Sequence, residues 1–408
     1  MTAATLSHPQ LVRWRTAIFA LFLLCGASFA SWAARLPAVK RDLAIDDFQL
    51  GILLFVMGAG SLAGVMSANV VVARWGARRG LSVTVVGVAV GLFIAALGVG
   101  AFGSYAIAAT GLAIMGLCFG ATDVMMNVEA AAVEQAFSRT LMPLFHAFFS
   151  LGTVAGAGLG VAMAGWGVGV AWHLGAVAIF FLAVCATAVR FIPVHEAPAA
   201  EQGEAADRRA RLAATFAVWR DPRTYAIGLI ILGMAFAEGS ANDWLTVAVV
   251  DGHHETEATG AIFLTVFSIS MTVFRAIGGP IVDRVGRVWT LRILAVTAAV
   301  GLMMFILAPN LPVAYLGVAL WGAGASLGFP LGMSAAADDP AKAAASVSAA
   351  ATIGYVAFLC GPPVLGWISH QIGILPTLWI IVGLIAMSGF ASTAAKPIAG
   401  SKVGAGHH

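Results

Sequence analysis

Two pairs of polar side chains sit where an apolar chain tolerates them least. Asp123 and Asn127 lie four residues apart among Phe, Met, Val, Ala and Gly, and Glu238 and Asn242 repeat that spacing in a second apolar run. A four-residue step puts both members of a pair on one helix face. A carboxylate inside a bilayer is costly and normally faces a wet cavity, where it marks a functional site. Low dielectric disfavours its charged form, so Asp123 is the leading candidate to carry a proton and Glu238 the facing candidate from the second half. Asn127 and Asn242 offer donors and acceptors together, which suits a polar solute. His146 lies one turn into the next apolar helix. An imidazole titrates near neutrality, so it either relays the proton or serves as a hydrogen bonder between helices.

Other residues flank these pairs. Trp32 and Arg35 close the first apolar run, either as an interfacial anchor with a snorkelling head or as a cationic wall of an outer vestibule. Arg275 either pairs with a cavity carboxylate or caps its own helix. Phe329-Pro330 stands in the tenth apolar run where the fourth has Asp123-Val124. The second half thus offers an aromatic solute contact where the first is acidic. Glu129 and Glu134 fall near the cytoplasmic end of the fourth run, in structural or gating roles. The segments 38–48 and 251–257 read as solvated outer loops, and His253 and His254 lack the fixed geometry a metal needs.

These residues need a scaffold, and composition defines it. The chain is 60% hydrophobic and 10% charged, against about 25% charged in soluble domains. A spanning helix needs about 20 apolar residues, and twelve such runs follow one another: 14–35, 49–72, 81–100, 103–128, 143–165, 169–191, 223–249, 258–281, 288–308, 311–335, 343–367 and 372–394. The reading is an all-α membrane protein whose twelve transmembrane helices form two six-helix pseudo-symmetric bundles, 1–191 and 223–408. A charged, partly helical cytoplasmic linker, 192–222, joins them. Most basic residues, among them Arg74, Arg78, Arg79, Arg139, Arg208, Arg209, Arg211 and Lys402, fall on one side, which places both termini in the cytoplasm. The first run is read as an uncleaved helix, not a signal peptide. Cys25, Cys118, Cys185 and Cys360 all lie in spans without CxxC spacing and are read as packing residues. No phosphate loop, HExxH or GxSxG occurs, so no enzyme, metal site or cofactor is expected. No basic stripe interleaved with aromatics suggests nucleic acid. His407 and His408 carry no argument.

The second run closes with Arg74-Trp75-Gly76-Ala77-Arg78-Arg79-Gly80, and the eighth with Gly279-Pro280-Ile281-Val282-Asp283-Arg284-Val285-Gly286-Arg287. Setting Gly76 on Gly286 puts Arg74 on Arg284. Two further correspondences support the repeat, Gly116 with Gly322 and Gly152 with Gly354. Internal repeats of six spans point to a transporter with its site at the repeat interface. The 279–287 stretch resembles the loop signature of the major facilitator superfamily. That resemblance implies a gating role for Gly279, Asp283, Arg284, Gly286 and Arg287, with Asp283 locking the cytoplasmic side. The first-half copy has Ala73 in the Asp position and Asn69 in the Gly position. More narrowly, Asp123-x-x-x-Asn127 followed by Leu141 to Gly152 is similar to the fourth and fifth helices of the fucose–proton symporter family. There the acid matching Asp123 takes part in sugar recognition and proton coupling. Those proteins carry a further acid in helix 1, where this chain has Ala33.

Together these readings describe a monomeric secondary active transporter of the bacterial inner membrane. It moves a small polar solute, a sugar or related metabolite, by proton-coupled alternating access. Symport is the favoured direction, and proton antiport of a drug or metabolite is the alternative. Its partners are the solute, protons and the lipid bilayer.

Overall fold

The computed structural model describes residues 7–137, 141–194, 218–339 and 342–398. They hold twelve helices long and apolar enough to cross a membrane: α1 (His8–Ala33), α2 (Asp47–Ala68), α3 (Val70–Gly100), α4 (Tyr105–Phe137), α5 (Leu144–Gly165), α6 (Val170–Val189), α7 (Pro222–Gly252), α8 (Glu257–Val285), α9 (Arg287–Ile306), α10 (Leu311–Ala336), α11 (Ala345–Ile372) and α12 (Ile374–Ala395). The chain is an all-α, multi-pass integral membrane protein. Most of the linker 192–222 lies outside the described residues, as do Arg139, Lys402, His407 and His408.

Local chemistry sets the helix ends. The Asp46 side chain accepts from the Gln49 backbone N–H at 2.8 Å, and the Gln49 side chain accepts from the Asp46 N–H at 3.1 Å. This reciprocal cap starts α2. Asn310 caps α10 by accepting from Val313. The two loops aligned in the sequence break in the same way. Gly76 has φ 73°, ψ 160° and Gly286 has φ 83°, ψ 151°, a region open to glycine and hardly to other residues.

Two compact units emerge, one of Met1–Ala200 with Asp243–Thr265 and the other of Glu201–Asn242 with Val266–His408. In the first, glycines bring backbones together. A Cβ on Gly152 or Gly156 would collide with the carbonyls of Leu23 or Ala27 on α1, and one on Gly116 with the carbonyl of Met57 on α2. Small residues allow such close approach between membrane helices. In the second unit a Cβ on Gly322 would press on the Phe267 carbonyl of α8, the counterpart of Gly116 on Met57. Gly354, the counterpart of Gly152, instead meets the side chains of Ile231 and Phe329. There a layer of side chains, not backbone, faces the glycine.

The structure also corrects the reading of two loops. Residues 38–48 are only in part a solvated link: Leu36–Leu43 is a short helix with Leu36, Pro37, Ala38 and Val39 buried, while Arg41, Asp42, Ala44 and Phe48 are exposed. Lys40 pairs with Asp47 and with Asp251, and Arg41 with Glu257. These contacts tie the Asp243–Thr265 hairpin to the short helix inside the first unit. The fourth helix runs on to Phe137, nine residues past the expected end, so Glu129 and Glu134 are helical. The glycine–proline stretch at 361–363 leaves α11 assigned as one helix, with Pro362 and Pro363 inside it.

Candidate functional site

Asp123 is half-buried on α4 between the buried Thr122 and Met125. The Asn127 amide donates to the Asp123 backbone carbonyl at 2.8 Å and more weakly to its Oδ1 at 3.4 Å. The predicted face is real, and part of Asn127's donor capacity is spent on Asp123. Among the described residues no cation pairs with Asp123.

Two further acids lie along α4. Glu129 is 2% exposed and accepts from Trp14 Nε1 on α1 at 2.9 Å. Glu134 Oε2 accepts from the backbone N–H groups of Leu141 and Met142 at 2.6 and 2.7 Å. It thereby caps the helix that begins at Met142 and complements its dipole. His146, on the next turn, is exposed and stands edge-on to Phe22, with ring centroids 5.3 Å apart.

Trp32 and Arg35 are both buried. Arg35 Nη2 donates to the Val168 carbonyl at 2.7 Å, while its Nε and Nη1 have no partner among the described residues. Its head therefore does not snorkel into water. Burial, then the charge of Arg41, holds the Arg35 pKa below its ordinary value. His173, buried nearby on α6 with neither ring nitrogen partnered among the described residues, escaped the sequence reading.

In the second unit Arg275 pairs with a carboxylate and with the backbone of a neighbouring helix. Its Nη2 donates to Glu238 Oε2 at 3.1 Å, and its Nε donates to the Ser326 carbonyl at 3.0 Å. That carbonyl is available for a reason written in the sequence. Pro330 has no N–H to return to the residue four before it, and α10 is interrupted between Ala325 and Gly328. Arg275 thus joins an intramembrane acid to a carbonyl freed by proline. Asn242 is half-buried one turn beyond Glu238. Phe329 faces Gly354 and packs against the apolar core of this unit.

The loop residues divide. Arg287 is buried: its Nη2 reaches Asp338 Oδ2 at 2.5 Å, its Nε the Ala395 carbonyl at 2.6 Å, and its Nη1 the Ser334 hydroxyl at 3.3 Å. Arg223 shares Asp338 Oδ2 at 2.9 Å and also donates to the carbonyls of Ala394 and Lys396. Asp338 is a second residue that sequence reasoning missed. It follows the last turn of α10 and looks like the start of a polar loop. Asp283 and Arg284 are exposed, and Gly279 has open space where a side chain would lie.

The chain thus carries acids within apolar, membrane-spanning helices. It has the architecture of a membrane transporter. The model of the Major Facilitator Superfamily matches residues 17–362, and the chain belongs to that family. It is a transporter of small molecules, not an enzyme. It is similar to an uncharacterized MFS-type transporter of Yersinia pestis, 29% identical over 369 residues and 90% of each chain. Among solved structures it resembles a variant of the nucleoside transporter NupG (TM-score 0.77, 16% identity, 95% of this chain and 100% of that one). It also resembles a variant of the Escherichia coli fucose:proton symporter FucP (TM-score 0.63, 16% identity, 94% and 98%).

Proposed function

We propose that the protein is a proton-coupled symporter of a small polar solute in the bacterial inner membrane, a monomer with both termini in the cytoplasm. It works by alternating access, and Asp123 carries the proton. The observation that carries this reading is the setting of Asp123: mid-helix in a span, half-buried, hydrogen-bonded by Asn127 and paired with no cation among the described residues. A lone acid of this kind is less costly in the membrane when protonated, so proton uptake makes the loaded protein easier to rearrange. Glu238, held by Arg275, has its charge already balanced. The names of two similar structures, a nucleoside transporter and a fucose:proton symporter, favour a polar, sugar-like solute.

The test is transport in proteoliposomes with an inward proton gradient, screened against sugars and nucleosides. Wild type should accumulate its solute. Asp123→Asn should lose gradient-driven accumulation while keeping solute exchange at equal pH. Accumulation by Asp123→Asn at the wild-type level would refute the assignment.

A further inference from the structure

The Glu238–Arg275 pair is only half used. Arg275 spends Nε on Ser326 and Nη2 on Glu238, with a longer contact from Nη2 to the Met271 sulfur at 3.7 Å. Its Nη1 has no hydrogen-bond partner among the described residues and is not among the sealed-off atoms. Glu238 Oε1 is in the same position. The side chains are 31% and 21% exposed, although Glu238 sits among the buried Ala235, Ala237, Ser240 and Ala241. A guanidinium donor and a carboxylate acceptor are therefore left open, side by side, deep in a membrane unit.

Charge balance limits what can bind there. In this unit, residues 293–336 and 345–395 contain no Asp, Glu, Lys or Arg, and His370 lies in the last turn of α11. On α7, Asp243 is five residues from Glu238, about 7.5 Å along the axis, and belongs to the other unit. Arg275 and Glu238 are thus each other's counterions. Protonating Glu238 alone would leave the Arg275 guanidinium without a counterion inside the membrane. Glu238 can take up a proton cheaply only when another anion replaces it on Arg275.

We propose that Arg275 is a recognition point for a solute carboxylate, which displaces Glu238 as Glu238 binds a proton. This rests on the transporter reading and not on the role of Asp123. The balance closes. The solute's two carboxylate oxygens accept from Nη1 and Nη2 of Arg275, in the paired geometry guanidinium favours. Glu238 Oε2 gives up its place and takes one proton delivered as hydronium from the solution, so one anion and one proton enter together and the unit stays neutral. A doubly charged anion would leave an excess negative charge. A neutral polyol would leave Glu238 charged and in place. The solute class is therefore a small polar monocarboxylate.

The experiment is binding to the full-length protein in lipid nanodiscs, using acid and neutral partners of one skeleton: D-glucuronate with D-glucose, D-galacturonate with D-galactose, and L-lactate with propane-1,2-diol. At least one carboxylate should bind wild type more tightly than its neutral partner, and more tightly at low pH. Arg275→Gln should weaken it by about thirtyfold, the low end for loss of one member of a charged hydrogen-bonded pair. Glu238→Gln should bind the acid more tightly than wild type and lose the pH dependence. Should Arg275→Gln fail to fold, the double variant R275Q/E238Q, which leaves no charge unpaired, takes its place and should show the same loss. Equal binding of the neutral partner, retained binding without Arg275, or no carboxylate bound by wild type or Glu238→Gln would each overturn the proposal. Proton-driven accumulation of a neutral sugar alone would overturn it while leaving the transport reading intact.

Discussion

Asp338→Asn separates two accounts of what holds the charge-rich end of the second unit together. The Asp338 side chain is fully buried, and one of its oxygens accepts from both Arg287 and Arg223. Arg287 is itself 5% exposed at its side chain. Removing the charge leaves one sealed guanidinium and a second, partly exposed one without a counterion. Breaking a buried pair from one side costs about 3–5 kcal/mol. The amide oxygen can still accept a hydrogen bond, and Arg287 keeps the Ala395 carbonyl, so the expected loss is about 3 kcal/mol, roughly a hundredfold in the unfolding equilibrium. Asp283, the acid that the loop resemblance singles out, is exposed, and Asp283→Asn should change stability by less than about 0.5 kcal/mol. Both variants are to be unfolded in mixed micelles with increasing SDS and followed by tryptophan fluorescence. Asp283→Asn proving the more destabilising would refute the placement of the staple on Asp338.

Gly152→Ala and Gly158→Ala form a matched pair on α5. Both gain helix propensity, about 1 kcal/mol, but only Gly152 faces a backbone carbonyl, while Gly158 meets open space; the first should lower the melting temperature and the second hold or raise it. Lys40 titrates against burial, which lowers its pKa, but its bonds to Asp251 and Asp47 leave it above the ordinary lysine value. A raised lysine pKa means stability that is full below the unfolded value, about 10.4, and is lost as pH rises through the folded one. The wild-type advantage over Lys40→Met, under about 1 kcal/mol for a partly exposed pair, should thus be flat at neutral pH and vanish in strong alkali; thermal melts across that range check it. Trp14→Phe removes the donor to Glu129 and should cost about 0.5–1.5 kcal/mol, the net worth of an ordinary hydrogen bond, measured by the same melts; a change below 0.5 kcal/mol would show the bond to be incidental.

The architecture was legible because its causes are local. Twelve apolar runs follow from the cost of unpaired backbone groups in lipid, and Gly76 and Gly286 align because both hold a conformation closed to other side chains. Asp123 and Asn127 were legible for the same reason, being one turn apart. What escaped depended on partners distant in sequence. Lys40 meets Asp251 across 211 residues, and Arg223 meets Asp338 across 115; neither loop carries a periodic signal. Arg275 lay between these cases. A clue was present in Pro330, which must free the Ser326 carbonyl, but that Arg275 takes it up is a matter of tertiary packing.

The central claim is that Asp123 takes and releases the proton. Infrared difference spectroscopy of the protein in lipid, between acid and alkaline buffer, reads this directly. The expected result is a protonated-carboxyl band in wild type that is missing from Asp123→Asn. The same band, undiminished in Asp123→Asn, would contradict the account.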